Sequence, residues 1–349
     1  MGAILGKEYL IGLKKASEWG TAVACGANDG LLVRSESLKG RIGAHMDDSL
    51  GLIFVMEEEK GLYEPVGGAI EAYNRYEGLD VALALAMGIA GIPVQQEETA
   101  AYKHTLKLKE NLDGLFATIA QLKQTDKVWE TPSVKMAGFT IRGTIGAPLE
   151  ISLPVMGTKM VFDSSVNTPT TMGNLTMPDR ANRVVWNPSK TVIRMNDASG
   201  AALADGDKIY PNSFELAFGR GHTGDHTQHD YIDEPLEESY PTHTFRFGFP
   251  RYDAVNHPYF EDWDAFTYKK MDLTITGALI EETYYYTFTL LFPKLRVADP
   301  DAAVTGPGKI PATINMNAFK TDTAPEGMTG ITLPFQLEII NKRSTDPLA

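Results

Sequence analysis

The chain has 349 residues, 43% of them hydrophobic and 22% charged, a composition that can bury substantial cores over a length suited to two domains. Its formal net charge of −13 and pI near 5.0 argue against a sequence-reading nucleic-acid binder, whose surface is usually basic. The single cysteine, Cys25, excludes an intrachain disulfide and a cysteine zinc site and fits a reducing compartment.

Residues 1–20 carry Lys7, Glu8, Lys14, Lys15 and Glu18, so no signal peptide is expected there. No uninterrupted apolar run reaches the ~18 residues of a membrane span, so no membrane partner is expected. After the Asp29–Gly30 turn signal, residues 31–38 read as a strand. Leu79 to Met87 is a run of helix formers with Asp80 in its first turn, stopping at Gly88. It is apolar nearly all round and is predicted to be buried against a sheet. Strict alternation predicts strands over 104–109, 139–145 and 149–153, and again over 333–339. The tyrosine-rich stretch 283–292 is dense in strand formers. Between them, 164–190 is rich in Thr, Asn, Pro and Asp without periodicity, and reads as a connector running along a surface.

The two halves echo each other. Tyr102 to Leu108, with His104-Thr105, precedes Phe139 to Ile145, and Pro241 to Phe247, with His243-Thr244, precedes Leu273 to Leu279. Upstream, residues 35–41 (SESLKGR) face residues 213–220 (SFELAFGR), both ending in Gly-Arg. Three matches in one order predict a duplication in which His104 falls on His243 and Gly143 on Gly277.

On these residues the chain resembles the bacteriophage tail tube, or major tail, proteins. The likeness rests on Ser35 to Leu38 with Gly40-Arg41, on Tyr76 to Asp80 before the Ala/Leu helix, and on Met136 to Gly143 with Leu149 to Leu153. Ile193 to Asp197, with Gly200, Asp205, Asp207 and Ser213 to Leu216, looks like the opening of a second such unit. The resemblance implies a mainly β fold of two tandem tail-tube-like β-sandwich or barrel domains, each with a short flanking helix. The domains would span 1–163 and 191–349, joined by the connector at 164–190. It further implies a structural virion protein, not an enzyme, with no cofactor, made in the host bacterial cytoplasm. Its partner would be itself, as trimeric, pseudo-hexameric rings stacked into a tube, together with tape-measure, terminator and baseplate proteins. DNA would pass through the lumen without specific binding, past an inner wall expected to be net negative. Another tail or baseplate ring component is the alternative within the virion.

His222-Thr-Gly-Asp225-His226-Thr-Gln-His229-Asp230 could hold a divalent ion through imidazole and carboxylate, and a metal-binding enzyme is the rival reading it allows. The spacing fails the HExxH pattern, and residues 221–244 contain six acids and no Lys or Arg, as suits a polar hairpin loop. Tyr284 to Tyr286 could form a carbohydrate platform but reads more simply as one packed strand. The repeat places the loops after Arg41 and Arg220 at equivalent positions. His45, Met46, Asp47 and Asp48 in one, and His222, Asp225, His226, His229 and Asp230 in the other, are therefore the candidate ring-stacking residues. Residues 42–51 and 221–238 are expected to extend away from the domains.

Overall fold

The computed structural model describes residues 5–47, 49, 54, 58–124 and 126–349. The chain is mainly β, with long antiparallel strands and, among the described residues, three short α-helices. Fifteen strands longer than two residues carry the architecture. In the first half they are β1 (Leu10–Ala16), β2 (Lys39–Met46), β3 (Glu58–Tyr73), β4 (Tyr102–Leu108), β5 (Phe116–Gln124), β6 (Lys127–Met136), β7 (Gly138–Thr144) and β8 (Glu150–Gly157). In the second half they are β9 (Thr191–Asp197), β10 (Ser213–Gly219), β11 (Thr242–Phe249), β12 (Tyr268–Glu281), β13 (Tyr284–Asp301), β14 (Ala312–Ala318) and β15 (Gln336–Asn341). Helix α1 is Asp80–Met87, α2 is Pro169–Gly173 and α3 is Pro258–Asp264.

Helix α1 lies where the sequence predicts it. All its residues but Val81 are buried, and it packs on β1, β4, β6 and β7. Gly88 ends it in the left-handed region at φ 97, where its N–H reaches the Ala84 carbonyl. A Cβ at Gly88 would sit 2.5 Å from that of Lys109, so glycine is required there for space as well as for conformation.

The hydrogen-bonded ladders give two runs of strands with the same logic. In the first the spatial order is β2-β3-β8-β6-β5-β1, and in the second it is β10-β11-β14-β13-β12-β9. Irregularities coincide as well. Between β5 and β6 the pairing steps from Ile119↔Thr131 to Ala117↔Val134, and between β12 and β13 from Met271↔Phe292 to Lys269↔Leu295. Both steps skip one residue on one strand and two on the other. The next ladder shifts register once just past Met136↔Val155 in the first run, and once just past Val297↔Met316 in the second. The continuous β13 thus corresponds to β6 and β7 together, and the match extends to buried pairs such as Val134 with Leu295 and Leu153 with Ile314.

This correspondence corrects the register expected from the sequence. His104 lies on β4, between β15 and two short strands, whereas His243 lies on β11, between β10 and β14. Gly143 lies on β7 and Gly277 on β12, strands with different neighbours. The Ser35/Ser213 echo, by contrast, falls on matching hairpins: Ser35↔Glu71 and Ser213↔Gly248 begin the same ladder in each run.

The two runs join where strand β10 pairs along the whole of β7, and β15 attaches the first-half strand β4 to β13. One hydrophobic cluster accordingly threads both halves, from Ile11 and Leu13 through Phe139 and Phe218 to Phe335 and Ile339. The ladders branch at β8 and β13, and among the described residues none closes the sheet into a ring.

The segment 164–190 is not the surface runner the sequence suggested. Asn167, Met172, Val184 and Trp186 are buried. Asn167 accepts from the Cys25 N–H (2.8 Å) and donates to the Val23 carbonyl and the Glu130 carboxylate (2.6 Å). A polar residue enters the interior here because its hydrogen bonds are satisfied.

Candidate assembly interface

The junction between the runs shows how one copy of the strand order receives another. Pairing runs from Gly138↔Gly219 through Thr140↔Ala217 to Thr144↔Ser213. Its inner face is aromatic: Phe139 meets Phe218 edge-on (centroids 5.3 Å), and both contact Phe335. Its outer face carries one ion pair, Arg142 Nε to Glu215 (2.6 Å). At Gly138, φ is 123 and a Cβ would lie 2.1 Å from the Phe218 carbonyl oxygen, so the strands approach there as only glycine permits.

Arg220, directly after β10, locks the junction. Its side chain is 1% exposed and its guanidinium donates to Glu237 (2.6 and 2.8 Å), to the Ala86 carbonyl (3.2 Å) and to the Lys109 carbonyl (2.7 Å). An arginine of the second half therefore satisfies carbonyls at the C-terminal end of a first-half helix, where positive charge is favoured. Lys135, also 1% exposed, grips the same hairpin loop through Glu234 (2.8 Å) and the Pro235 carbonyl (2.9 Å).

The loop at 221–238 does not extend away; it folds back over the first half. Trp19 Nε1 donates to the Ile232 carbonyl (2.9 Å), Tyr63 N–H to the Asp230 carbonyl (2.7 Å) and Gly114 N–H to Glu234 (2.8 Å). Its candidate residues point different ways. His222 is buried beside Arg220 and Lys135, and burial with those two cations lowers its pKa to about 4. His226 Nε2 meets the Tyr63 carbonyl oxygen (2.9 Å), His229 stacks on Tyr231 (5.0 Å), and Asp230 pairs with Lys159 (3.0 Å). Asp225 is exposed and its carbonyl accepts from the Asp233 N–H. Among the described residues no three His, Cys, Asp or Glu stand together as metal ligands.

The other candidate loop begins at the end of β2. His45 and Met46 are exposed on that strand, and they pair with Glu59 and Glu58. Asp47 accepts from the N–H and hydroxyl of Ser49, which lower its pKa. Asp48 lies outside the described residues.

Sequence reasoning missed the two open counterparts of the junction. Strand β2 corresponds to β10 but among the described residues pairs only with β3, and along it all residues but Gly40 and Gly43 are exposed. The end of β13, from Asp299 to Asp301, corresponds to Gly138–Thr140, and on the side where β10 would lie it has no ladder among the described residues, since β12 begins opposite Arg296. Lys39 and Arg41 line the first edge, and Asp299 and Asp301 the second, all exposed. The signal available in the sequence was the Gly-Arg echo after each leading strand.

One further concentration of charge surrounds a cleft of about 840 Å³ lined by Lys7, Arg34, Arg75, Lys123, Arg180 and Arg183. Arg34 is held by Glu150 and Lys123 by Glu36, while Arg75 donates to the carbonyls of Asp179 and Arg180. No protein-family profile matches this chain, and no curated protein does either.

Proposed function

We propose that this chain is a self-assembling structural subunit whose copies join edge to edge into rings, the rings stacking into a phage tail tube. The observation that carries this reading is the junction inside the chain: one run of strands already accepts the leading hairpin of another, and the matching edges at the two ends remain open. Open edges of this length are an aggregation liability unless a defined partner covers them. A head-to-tail contact between unlike edges closes a ring when its rotation divides a full turn. Three chains would supply six runs, giving a pseudo-sixfold ring.

The sheet through β8, β7, β10, β11 and β14 turns one face to the core, and the other, lined by Thr140, Arg142, Glu215, Arg246, Thr244 and Asn315, would form the wall of a lumen. DNA must slide along such a wall without being held. Pairing of Arg142 with Glu215, and of Arg34 with Glu150, takes two cations away from phosphate. Arg246 is exposed on the same face opposite Glu215 and is the cation left to meet phosphate there, too few for tight holding. Tape-measure, terminator and baseplate proteins would meet the ends of the tube.

Sedimentation velocity and negative-stain imaging of the purified protein test this reading. Stacked rings, or a species of three chains that polymerises with concentration, are expected. A monomer at high concentration with no filament would overturn it.

A further inference from the structure

We propose that a second copy of this chain lays its β2 edge along the Asp299–Asp301 end of β13, in the register of the internal junction, with Lys39 directly opposite Asp301. The inference rests on the self-assembly reading and goes on to fix which residues meet. Coinciding irregularities make the register transferable: Thr140 corresponds to Asp301, and Ala217 to Lys39. Thr140 pairs with Ala217 inside the chain, so Asp301 should pair with Lys39 between chains.

Three features agree with that placement, the last two adjoining, since the Arg296 guanidinium lies over the Phe266 ring (4.5 Å). The two edges are oppositely charged: among the described residues Lys39 has no carboxylate partner, Asp299 and Asp301 have no cation, and Arg41 reaches only Glu64, at 3.8 Å. The second feature is the helix end. Arg220 inside the chain reaches carbonyls at the end of α1, where Met87 precedes Gly88 in the left-handed region. Helix α3 ends the same way, with Ala265 before Phe266 at φ 55, yet Trp263 is 47% and Phe266 63% exposed. Arg41, in the same Gly-Arg step as Arg220, is placed to meet the Asp264 and Ala265 carbonyls of the neighbouring copy. The third is Arg296, the counterpart of Lys135. Lys135 grips the second-half loop, whereas Arg296 Nε is buried with no hydrogen-bond partner. A neighbouring hairpin over this flank would cover all of these groups together.

Disulfide trapping tests the register, because the only native cysteine, Cys25, is buried. Full-length Lys39→Cys/Asp301→Cys protein is compared with Lys39→Cys/Ala303→Cys, which is displaced by one step along the same face. Oxidation should convert most of the first variant into a ladder of covalent oligomers and less than about a tenth of the second. As a charge test, Lys39→Glu and Asp301→Lys should each raise the concentration needed for assembly at least about tenfold. The swap carrying both should return it to within about threefold of the unmodified chain. If assemblies form but trapping favours Ala303 or neither partner, and the swap gives no rescue, this register is wrong while self-assembly stands. If the unmodified chain never assembles, both readings fail together.

Discussion

Strands β10 and β2 hold the same place in the two runs and could hardly be more differently dressed. Along β10 the side chains of Phe214, Leu216 and Phe218 are buried in turn, and the alternate positions are half-covered by β7 and β11. Along β2 only Gly40 and Gly43 are even half-covered, and Lys39, Arg41 and His45 stand in solvent. Strand preference is stronger along β10, with its Phe and Leu, than along β2, with its Lys and glycines, and the difference follows the presence of a neighbour. Where a partner is built into the chain, the edge is apolar and closely packed. Where it is not, the edge is charged and interrupted by glycine, and the neighbouring Leu38 N–H is occupied by its own Glu36 carboxylate (2.7 Å). Those devices discourage indiscriminate pairing while leaving one complementary charge pattern available.

The largest contrast should come from the two arginines. Arg220→Ala removes a buried guanidinium and leaves Glu237 unpaired beside buried carbonyls, a loss of about 3–5 kcal/mol by urea unfolding. Arg41→Ala, at the open counterpart, should leave the stability of the isolated chain within about 0.5 kcal/mol and act on assembly alone. Equal losses in the two variants would show that the edges are not in different states.

A smaller contrast separates Gly138 from Asp299. Gly138→Ala forces a Cβ against the Phe218 carbonyl at a left-handed φ and should cost about 1–3 kcal/mol. Asp299 is not among the positive-φ residues, so Asp299→Ala should be close to neutral for the isolated chain, read by thermal melting.

Acidity should loosen the internal junction before the rest of the fold. His222 and His243 both have pKa values lowered from 6.5 to about 4, first by burial and then by cations including Arg220. The unfolded chain takes up these protons near pH 6.5 while the folded chain refuses them until about 4. Stability therefore falls as pH drops through that window and is fully present above it. His222→Phe should flatten the decline of melting temperature between pH 7 and 5; an unchanged slope would remove His222 from the account.

How much of this was legible in the sequence depends on the kind of signal. The Ala/Leu run at 79–87 announced α1, because its composition, its acidic first turn and Gly88 all agree. Alternation located β4, β7, β8 and β15 to within a few residues. Register was not legible, since alternating strands resemble one another: His104-Thr105 and His243-Thr244 read alike and sit between different neighbours. The buried connector was hidden because Asn167 and Ser164 are polar, and only the distant Glu130 explains their burial. The loop at 221–238 read as free because its satisfying groups, Trp19, Tyr63 and Lys135, lie more than a hundred residues away in sequence, or nearly so for Lys135. The Gly-Arg echo carried the most, because the step after β10 is where Arg220 clamps the internal junction.

The smallest expected effect belongs to the most visible contact of the junction. Arg142 and Glu215 meet at 2.6 Å, but their side chains are 58% and 33% exposed, so water screens the attraction and both side chains lose freedom in making it. Arg142→Ala should therefore cost only about 0.2–1 kcal/mol, less at 0.5 M salt than at 0.05 M. At the open counterpart the charges stand one step along, as Lys39 and Asp301, and in the proposed joint the same weak attraction would bear on a contact between separate chains. A few tenths of a kcal/mol per contact, repeated at every joint of a ring and with no covalent link to hold the partners near, has a far larger effect on the concentration at which assembly begins. Salt should thus barely move the unfolding of the isolated chain while clearly raising that threshold. A threshold indifferent to salt would mean that apolar contacts around Trp263 and Phe266, and not the charged edge, decide the joint.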